Sequence, residues 1–545
     1  MCGISLYLFN MMTQDDINRA FISSQSISHR GPDNSNFVIK NDLNMILSFN
    51  RLMIHDLTAN GNQPFIYSNN ERTVYCMCNG EIYNCDEIIS KYNLVPKSNS
   101  DCECLLLYYL EFGFDNLSSL LNSEHACIIV DINSKINKYE VFISTDRFGI
   151  RPLFMGKCDK GIFFSSELTG IPMYDDIIVT RFKPRNIMYI NNLSEYNIYE
   201  KELEGEYYNL RTIPKIYRSF DESIILVRKL LSQSVIKRLN SDVPIGAYLS
   251  GGLDSIAVCI EASNYLSKFG KRLKTFCVGL PGSDDQIYAN LTAKLLNTDH
   301  TNIMLTQEEY INLIPLVIRA NGSFDTTTTR ASIGQLKGAM EISKMTNIKV
   351  LLSGDGSDEL MFSYNDAYDC PTNDLFEDQT FNLLENIHNF DGLRAERCTS
   401  RFGLELRLPF LDIDYVNLIL ESDINHRIAR NKISKPLLRY AYKGVLPDNI
   451  IFRPKVTFSD GVGSKENSTQ NLLSKYFKDM YTDDEFSILK QKYLFHCPPE
   501  TKEQLYYRET FCDIFGNNES VAKTIPYFWM PRFKQTSDPS AWFNE

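Results

Sequence analysis

The sequence contains no run of about 18 apolar residues, so no membrane-spanning helix is expected. It has no surplus of basic charge either. Lys and Arg number 56 against 68 Asp and Glu, a formal net charge of −12. That balance argues against nucleic acid or an anionic membrane as the main partner. The opening "MCGISLYLFNMMTQDD" lacks a basic leader, and Asp15 and Asp16 come early, so no secretory signal is expected. Zinc-knuckle spacing is also missing. Cys76/Cys78 and Cys102/Cys104 are each separated by a single residue, not the roughly two to four of such a site. Fourteen cysteines spread over 545 residues do not make a small disulfide scaffold. Buried thiols in a reducing cytoplasm are the expectation. There is no internal repeat and no low-complexity tract.

What is present falls into two halves of different period. Residues 1–192 read mostly as short strands rich in β-branched and aromatic residues, such as "GISLYLF", "NMILSFNRLMI", "RTVYCMCNGEIYN", "EHACIIVDI" and "KYEVFIST". Helical patterns lie between them, "DDINRAFISSQSIS" and "CECLLLYYLEFGF" among them. Packed sheets flanked by helices follow. Residues 193–220 are polar and Tyr-rich and read as a linker. From Asp221 the period becomes helical, with Asp221 as the expected cap. Strands then alternate with helices: "PIGAYLS", "KTFCVGL", "TNIML" and "IKVLLSG" are the strands. That alternation predicts a parallel α/β sheet within a second domain, 221–545, which turns mainly helical after about residue 390.

Two loops of that second half carry chemistry. The first strand runs into "SGGLDS", Ser250–Ser255, where two glycines permit a sharp turn into a helix whose free N–H groups suit phosphate. It is not a Walker loop, because no Lys precedes the Ser. The later strand runs into "SGDGSDEL", Ser353–Leu360, with three acids beside two glycines. Open parallel sheets bind ligands at the carboxyl ends of their strands, so the two loops reinforce each other. Asp254 and Asp358 could share Mg2+ between triphosphate oxygens, since hard cations take oxygen ligands.

The first of these loops resembles the pyrophosphate loop of the ATP pyrophosphatases. "MCGI" is similar to the start of the N-terminal-nucleophile glutamine amidotransferases, and "SHRGPD" (28–33), "NRLMIHD" (50–56), "NGEIYN" (79–84) and "SDCE" (100–103) resemble their glutaminase blocks. Both halves, in this order, resemble the glutamine-hydrolysing asparagine synthetases. "FCVGLPGSDD" (276–285), "TTTTRAS" (326–332), "RFGLELRLPFLD" (401–412), "KVTFSDGVG" (455–463) and the late "FWMPRFKQTSDPSA" extend the likeness over almost the whole chain.

The resemblance implies an αββα sandwich of the N-terminal-nucleophile hydrolase type, followed by an α/β adenine-nucleotide α-hydrolase-like domain. Cys2, exposed by loss of Met1, would attack the glutamine amide with its own α-amine as base. Asn79 and Gly80 would form the oxyanion hole. Arg51, Leu52, Met53, Ile54, His55, Glu81 and Asp101 would bind glutamine, Arg51 and Asp101 as its clamp. Tyr248, Ser250, Gly251, Gly252, Leu253, Asp254, Ser255, Val278, Asp285, Ser353 and Gly354 would bind ATP. Thr327, Arg330, Asp355 and Lys455 would act on aspartate and the reacting phosphorus. Aspartate would be adenylated, and ammonia from Cys2 would travel unprotonated between the domains to the adenylate. Glutamine, aspartate and ATP are the implied partners, with no nucleic acid and no membrane; a homodimer is among the states allowed.

Three positions depart from the family pattern. Asp355 stands where a glutamate is usual, one methylene and ~1.5 Å shorter, where a misplacement of about 1 Å can cost a hundredfold. Ser363 replaces a glycine beside Tyr364, and Tyr248 replaces an aliphatic residue. Two other readings therefore remain open: a relative that adenylates another carboxylate, and a synthetase-deficient regulatory homologue.

Overall fold

The computed structural model describes residues 1–192, 199–202, 207–428, 433–454, 462–463 and 469–533. The chain divides into two compact units. The first comprises Met1–Asn209 with Ser400–Leu404 and Asn518–Thr524; the second comprises the remainder.

The first unit is built on two six-stranded sheets, antiparallel throughout. One runs, in spatial order, Ile178–Arg181, Phe154–Cys158, Gly161–Ser165, Gly3–Phe9, Met45–Arg51, Asn34–Lys40. The other runs Tyr199–Glu202, Ile187–Asn191, Lys138–Thr145, Ser123–Asn133, Arg72–Ile82, Phe65–Ser68. Strand alternation explains their packing. Ile4, Leu6 and Leu8 face one way and join Leu47, Met77, Ile128, Val130 and Val141 in a core shared by both sheets. Tyr7 and Phe9 face the other way, against Phe163. The outer face of the second sheet is covered by the helix Glu103–Phe112. Cys76, Cys78, Cys102, Cys104 and Cys127 all pack in that layer and none is bridged.

The linear reading placed residues 193–220 in a linker. Within that stretch Tyr199–Glu202 instead extends the second sheet, pairing with Ile187–Asn191. The pieces from far along the chain also belong to the first unit. Ser400 accepts from Arg30 at 3.1 Å, and Ser520 accepts from the Val179 amide at 2.9 Å.

The second unit holds a five-stranded parallel sheet in the order Asp299–Met304, Lys274–Gly279, Ile245–Tyr248, Val350–Leu352, Glu405–Arg407. The last strand lies within the stretch expected to be mainly helical. Its three residues are too few to show a period. The helix Phe220–Arg238 is capped by Ser219, whose hydroxyl accepts from the Glu222 amide while Glu222 reaches back, so Ser219 replaces the expected Asp221 as cap. The sheet's carboxyl edge presents both glycine-rich loops, because the strands ending at Tyr248 and Leu352 are direct neighbours. Among the described residues no helix is long and apolar enough to cross a membrane.

Candidate active sites

In the first unit, Cys2 begins the strand Gly3–Phe9. Its thiol points at the Leu52 carbonyl, 3.8 Å away, and its own carbonyl accepts from Arg30 Nε at 2.9 Å. Arg30 is fully buried and pairs with Glu167 at 2.9 Å, so the Cys2 peptide is anchored from below. Asn79 lies on the strand Arg72–Ile82 of the opposing sheet. It is fully buried, and neither its amide oxygen nor its amide nitrogen has a hydrogen-bond partner among the described residues. An orphaned buried amide is costly, by about 1–3 kcal/mol, and calls for a ligand to satisfy it. Gly80 follows where a Cβ would meet the Glu124 carbonyl at 2.0 Å, so only glycine keeps this strand paired and its N–H in place. The neighbouring His125 is held neutral, its pKa pushed down to about 3 by burial and then by Arg147.

The segment after the strand Met45–Arg51 carries Leu52, Met53, Ile54 and His55. Arg51 ties it into a loop, donating to the carbonyls of Thr58 (2.8 Å), His55 (3.1 Å) and Asp56 and to Asn62 (2.7 Å). Met53 N–H donates to Asp33 at 2.7 Å. Burial pushes the Arg51 pKa down, partly offset by Cys2 and Asp56. His55 pairs with Glu81 at 3.0 Å, and His55, Glu81 and Asp101 place ligand atoms within 4.8 Å of one another. Two buried carboxylates so close favour a cationic group between them. Asn79→Ala is expected to lower glutamine hydrolysis by about 10²–10³-fold with little change in KM, as loss of an oxyanion donor does. Steady-state glutamate release checks it, and a change in KM alone would remove Asn79 from the oxyanion site.

In the second unit the loop Ser250–Ser255 wraps around one hydroxyl. Ser255 Oγ accepts from the Ser250 amide at 3.1 Å and donates to the Gly252 carbonyl at 3.0 Å. Gly251 has φ +73° and a Cβ there would meet the Asp285 carbonyl at 2.7 Å, so glycine is required twice over. Leu253 opens the helix Leu253–Ser267 with its amides facing the loop. The second loop touches the first. A Cβ on Gly354 would meet Ser255 N at 2.7 Å and Asp254 Cβ at 2.8 Å, and Ser357 Oγ donates to Asp254 at 2.7 Å. Val278 and Tyr248 line the adjoining strands under the helix Thr326–Met345, close against Gly338. The Tyr248 hydroxyl donates to the Gln335 carbonyl at 3.4 Å, and burial raises its pKa.

Asp254 and Asp358 converge on one point, the ammonium of Lys435, at 2.5 and 2.7 Å. Lys435 is buried and has φ +54°. A cation thus already bridges these carboxylates, and oxygen donors so placed suit a hard cation. Asp285 pairs with Arg453 at 3.0 Å, and Arg453 donates to the Gly251 carbonyl at 3.0 Å and stacks on Tyr288. Among the described residues, the hydroxyls of Thr326, Thr327 and Thr329 are buried without hydrogen-bond partners at the start of a 20-residue helix. Asp325 caps that helix; burial lifts its pKa to about 6. Arg330 is engaged by Glu503 through two bonds of 2.8 and 2.7 Å. Burial, then Asp391 and Asp358, push the Glu359 pKa well up. Lys455 lies outside the described residues, as does most of the 455–463 block.

Lys435, Arg453, Glu503 and Arg394 sit in or against the site without having been singled out from the sequence. Each is an isolated charge with no periodic or local signature.

Residues 1–196 match the family model described as glutamine amidotransferase domain, and residues 226–380 and 371–531 match that described as asparagine synthase. A probable asparagine synthetase (glutamine-hydrolysing) of Acanthamoeba polyphaga mimivirus is 35% identical, over 99% of both chains. The asparagine synthetases of Cricetulus griseus and Homo sapiens are 32% and 31% identical, over 99% of this chain and 98% of theirs. With both family models matched in order and relatives aligned end to end, this chain belongs to the glutamine-hydrolysing asparagine synthetase family.

Proposed function

We propose that the chain converts ATP, L-aspartate, L-glutamine and water into AMP, diphosphate, L-asparagine and L-glutamate. The observation that carries this is the meeting of the Ser250–Ser255 and Ser353–Asp358 loops at neighbouring strand ends, where Gly354 lies against Asp254. A phosphate cradle and an acidic loop so joined suit attack of a carboxylate on an α-phosphorus with pyrophosphate leaving.

At the amidotransferase site, Cys2 Sγ attacks the glutamine amide once Met1 is removed, and its α-amine takes the thiol proton. Near neutral pH that amine, with an ordinary pKa of ~7.7–8.0, is a competent base. Asn79 and the Gly80 N–H hold the oxyanion, and the unpartnered Asn79 amide supports the assignment. Glu81 and Asp101 receive the substrate ammonium, and Arg51 its carboxylate. At the ligase site, the amides that follow Ser250, in Gly251–Ser255, hold phosphate oxygens. Asp254 and Asp358 would hold Mg2+, whose contribution when bound is to neutralise and orient the triphosphate. Thr327, Arg330 and Lys455 act around the aspartate and the phosphorus. The adenylate must be kept from water until ammonia arrives. The fourteen unbridged cysteines suit a reducing cytoplasm.

The test is pyrophosphate release by the purified chain with ATP, Mg2+ and aspartate, supplying ammonium or glutamine in turn. Asparagine from both nitrogen sources is expected. Glutamine hydrolysis with no aspartate-dependent pyrophosphate would mean another acceptor or an inactive ligase site.

A further inference from the structure

The short acid Asp355 does not stand alone. Its two oxygens are held from opposite sides: Ser353 Oγ donates to one, and Arg394 Nη2 donates to the other at 2.9 Å. Arg394 comes from the helix Asp391–Ser400 and is buried. Its remaining donors are equally committed. Nε donates to Asp391 at 3.0 Å and Nη1 to the Gln335 side chain at 2.9 Å. Asp391 in turn accepts from the Tyr364 hydroxyl at 3.2 Å, and the Gln335 backbone accepts from Tyr248. All three positions that depart from the family pattern adjoin this hub: Asp355 is bonded to it, Tyr248 lies one residue's backbone away, and Ser363 precedes Tyr364.

A carboxylate one methylene closer to the main chain has one rotatable bond fewer, and a fixed partner can remove the freedom that is left. Arg394 is such a partner. A planar guanidinium whose other faces are already bonded has little freedom of its own, so it transmits the position of two helices to one carboxylate. Resting on the function proposed above, we propose that Arg394 is a positioning residue for the ligation step, setting the place and orientation of the Asp355 carboxylate.

The experiment compares wild type, Arg394→Gln, Arg394→Lys, Asp355→Asn and the Arg394→Gln/Asp355→Asn pair, by steady-state pyrophosphate release with ATP, Mg2+, aspartate and ammonium. For Arg394→Gln, kcat should fall by about a hundredfold, with KM for ATP within about threefold of wild type. Arg394→Lys, which keeps the cation, should recover roughly tenfold of that loss. The double variant should be no slower than the slower single one, because both remove one interaction. A wild-type kcat in Arg394→Gln, a Lys variant no better than Gln, or losses that multiply in the double variant would each overturn the proposal. If Arg394→Gln does not fold, Arg394→Lys decides. A kcat loss of about fivefold or more at unchanged ATP KM supports positioning, and wild-type kcat overturns it. A wild-type chain inactive with aspartate overturns the proposed function, and this inference with it. An active wild type with an unaffected Arg394→Gln overturns this inference alone.

Discussion

Replacing Cys2 by Ala should reduce glutamine-dependent asparagine formation by at least about a thousandfold, the scale on which loss of a nucleophile acts. Ammonium-dependent formation should stay within about twofold, because the ammonium route does not use the thiol and independent sites do not couple. The reason is structural as well as chemical. Cys2 opens a core strand, and its peptide is tied to the fully buried Arg30, so the thiol position is set by the fold. Alanine keeps that peptide and removes only the sulfur. The route also requires a free α-amine on Cys2. Met1 is buried and its sulfur lies against Arg151, so its removal clears space beside the thiol. Mass spectrometry of the N-terminus should show Cys2 first in the active enzyme. Glutamine-dependent activity surviving in Cys2→Ala would exclude the thiol as nucleophile. Loss of both routes would point to coupling between sites that the proposal treats as independent.

The second large effect is expected at Glu503. Its carboxylate and the Arg330 guanidinium form a two-bonded pair with side chains 9% and 7% exposed, and Tyr507 donates to the same carboxylate at 2.8 Å. Glu503→Ala strands a buried cation at the start of the helix Thr326–Met345. Breaking one side of such a pair costs about 3–5 kcal/mol. The melting midpoint should fall by ~5 °C, which calorimetry or circular dichroism would read. Glu503→Gln keeps the shape and the Tyr507 contact, and should lose less. Ligation should fall in both variants, since Arg330 is then no longer held where a phosphate or carboxylate could meet it. An unchanged midpoint in Glu503→Ala would mean that Arg330 finds another partner, and the pair would have no structural weight.

The parts of this protein legible in its sequence are those written in local pattern. The composition of "GISLYLF" foretold a strand, and the strand–helix alternation after Asp221 foretold the parallel sheet. Glycines in "SGGLDS" and "SGDGSDEL" marked turns at strand ends, whereas Asn79 and Gly80 stood out only through the family resemblance. The short strand Glu405–Arg407 escaped because three residues carry no period. The capping of the helix Phe220–Arg238 escaped because Ser219 and Asp221 are both good caps, and only the geometry of Glu222 separates them.

The pairings that complete the sites were written nowhere locally. Asp254 and Lys435 are 181 residues apart, Arg330 and Glu503 are 173 apart, and Asp355 and Arg394 are 39 apart. A lone lysine or arginine has the same letter whether it floats on the surface or bridges two acids. By itself the sequence determined the chemistry available: a thiol behind Met1, two glycine-rich loops, and an acid one methylene short. Only the tertiary structure decided which charges meet, because a buried ion must find its partner wherever the chain brings one, and the cost of leaving it alone exceeds any local preference.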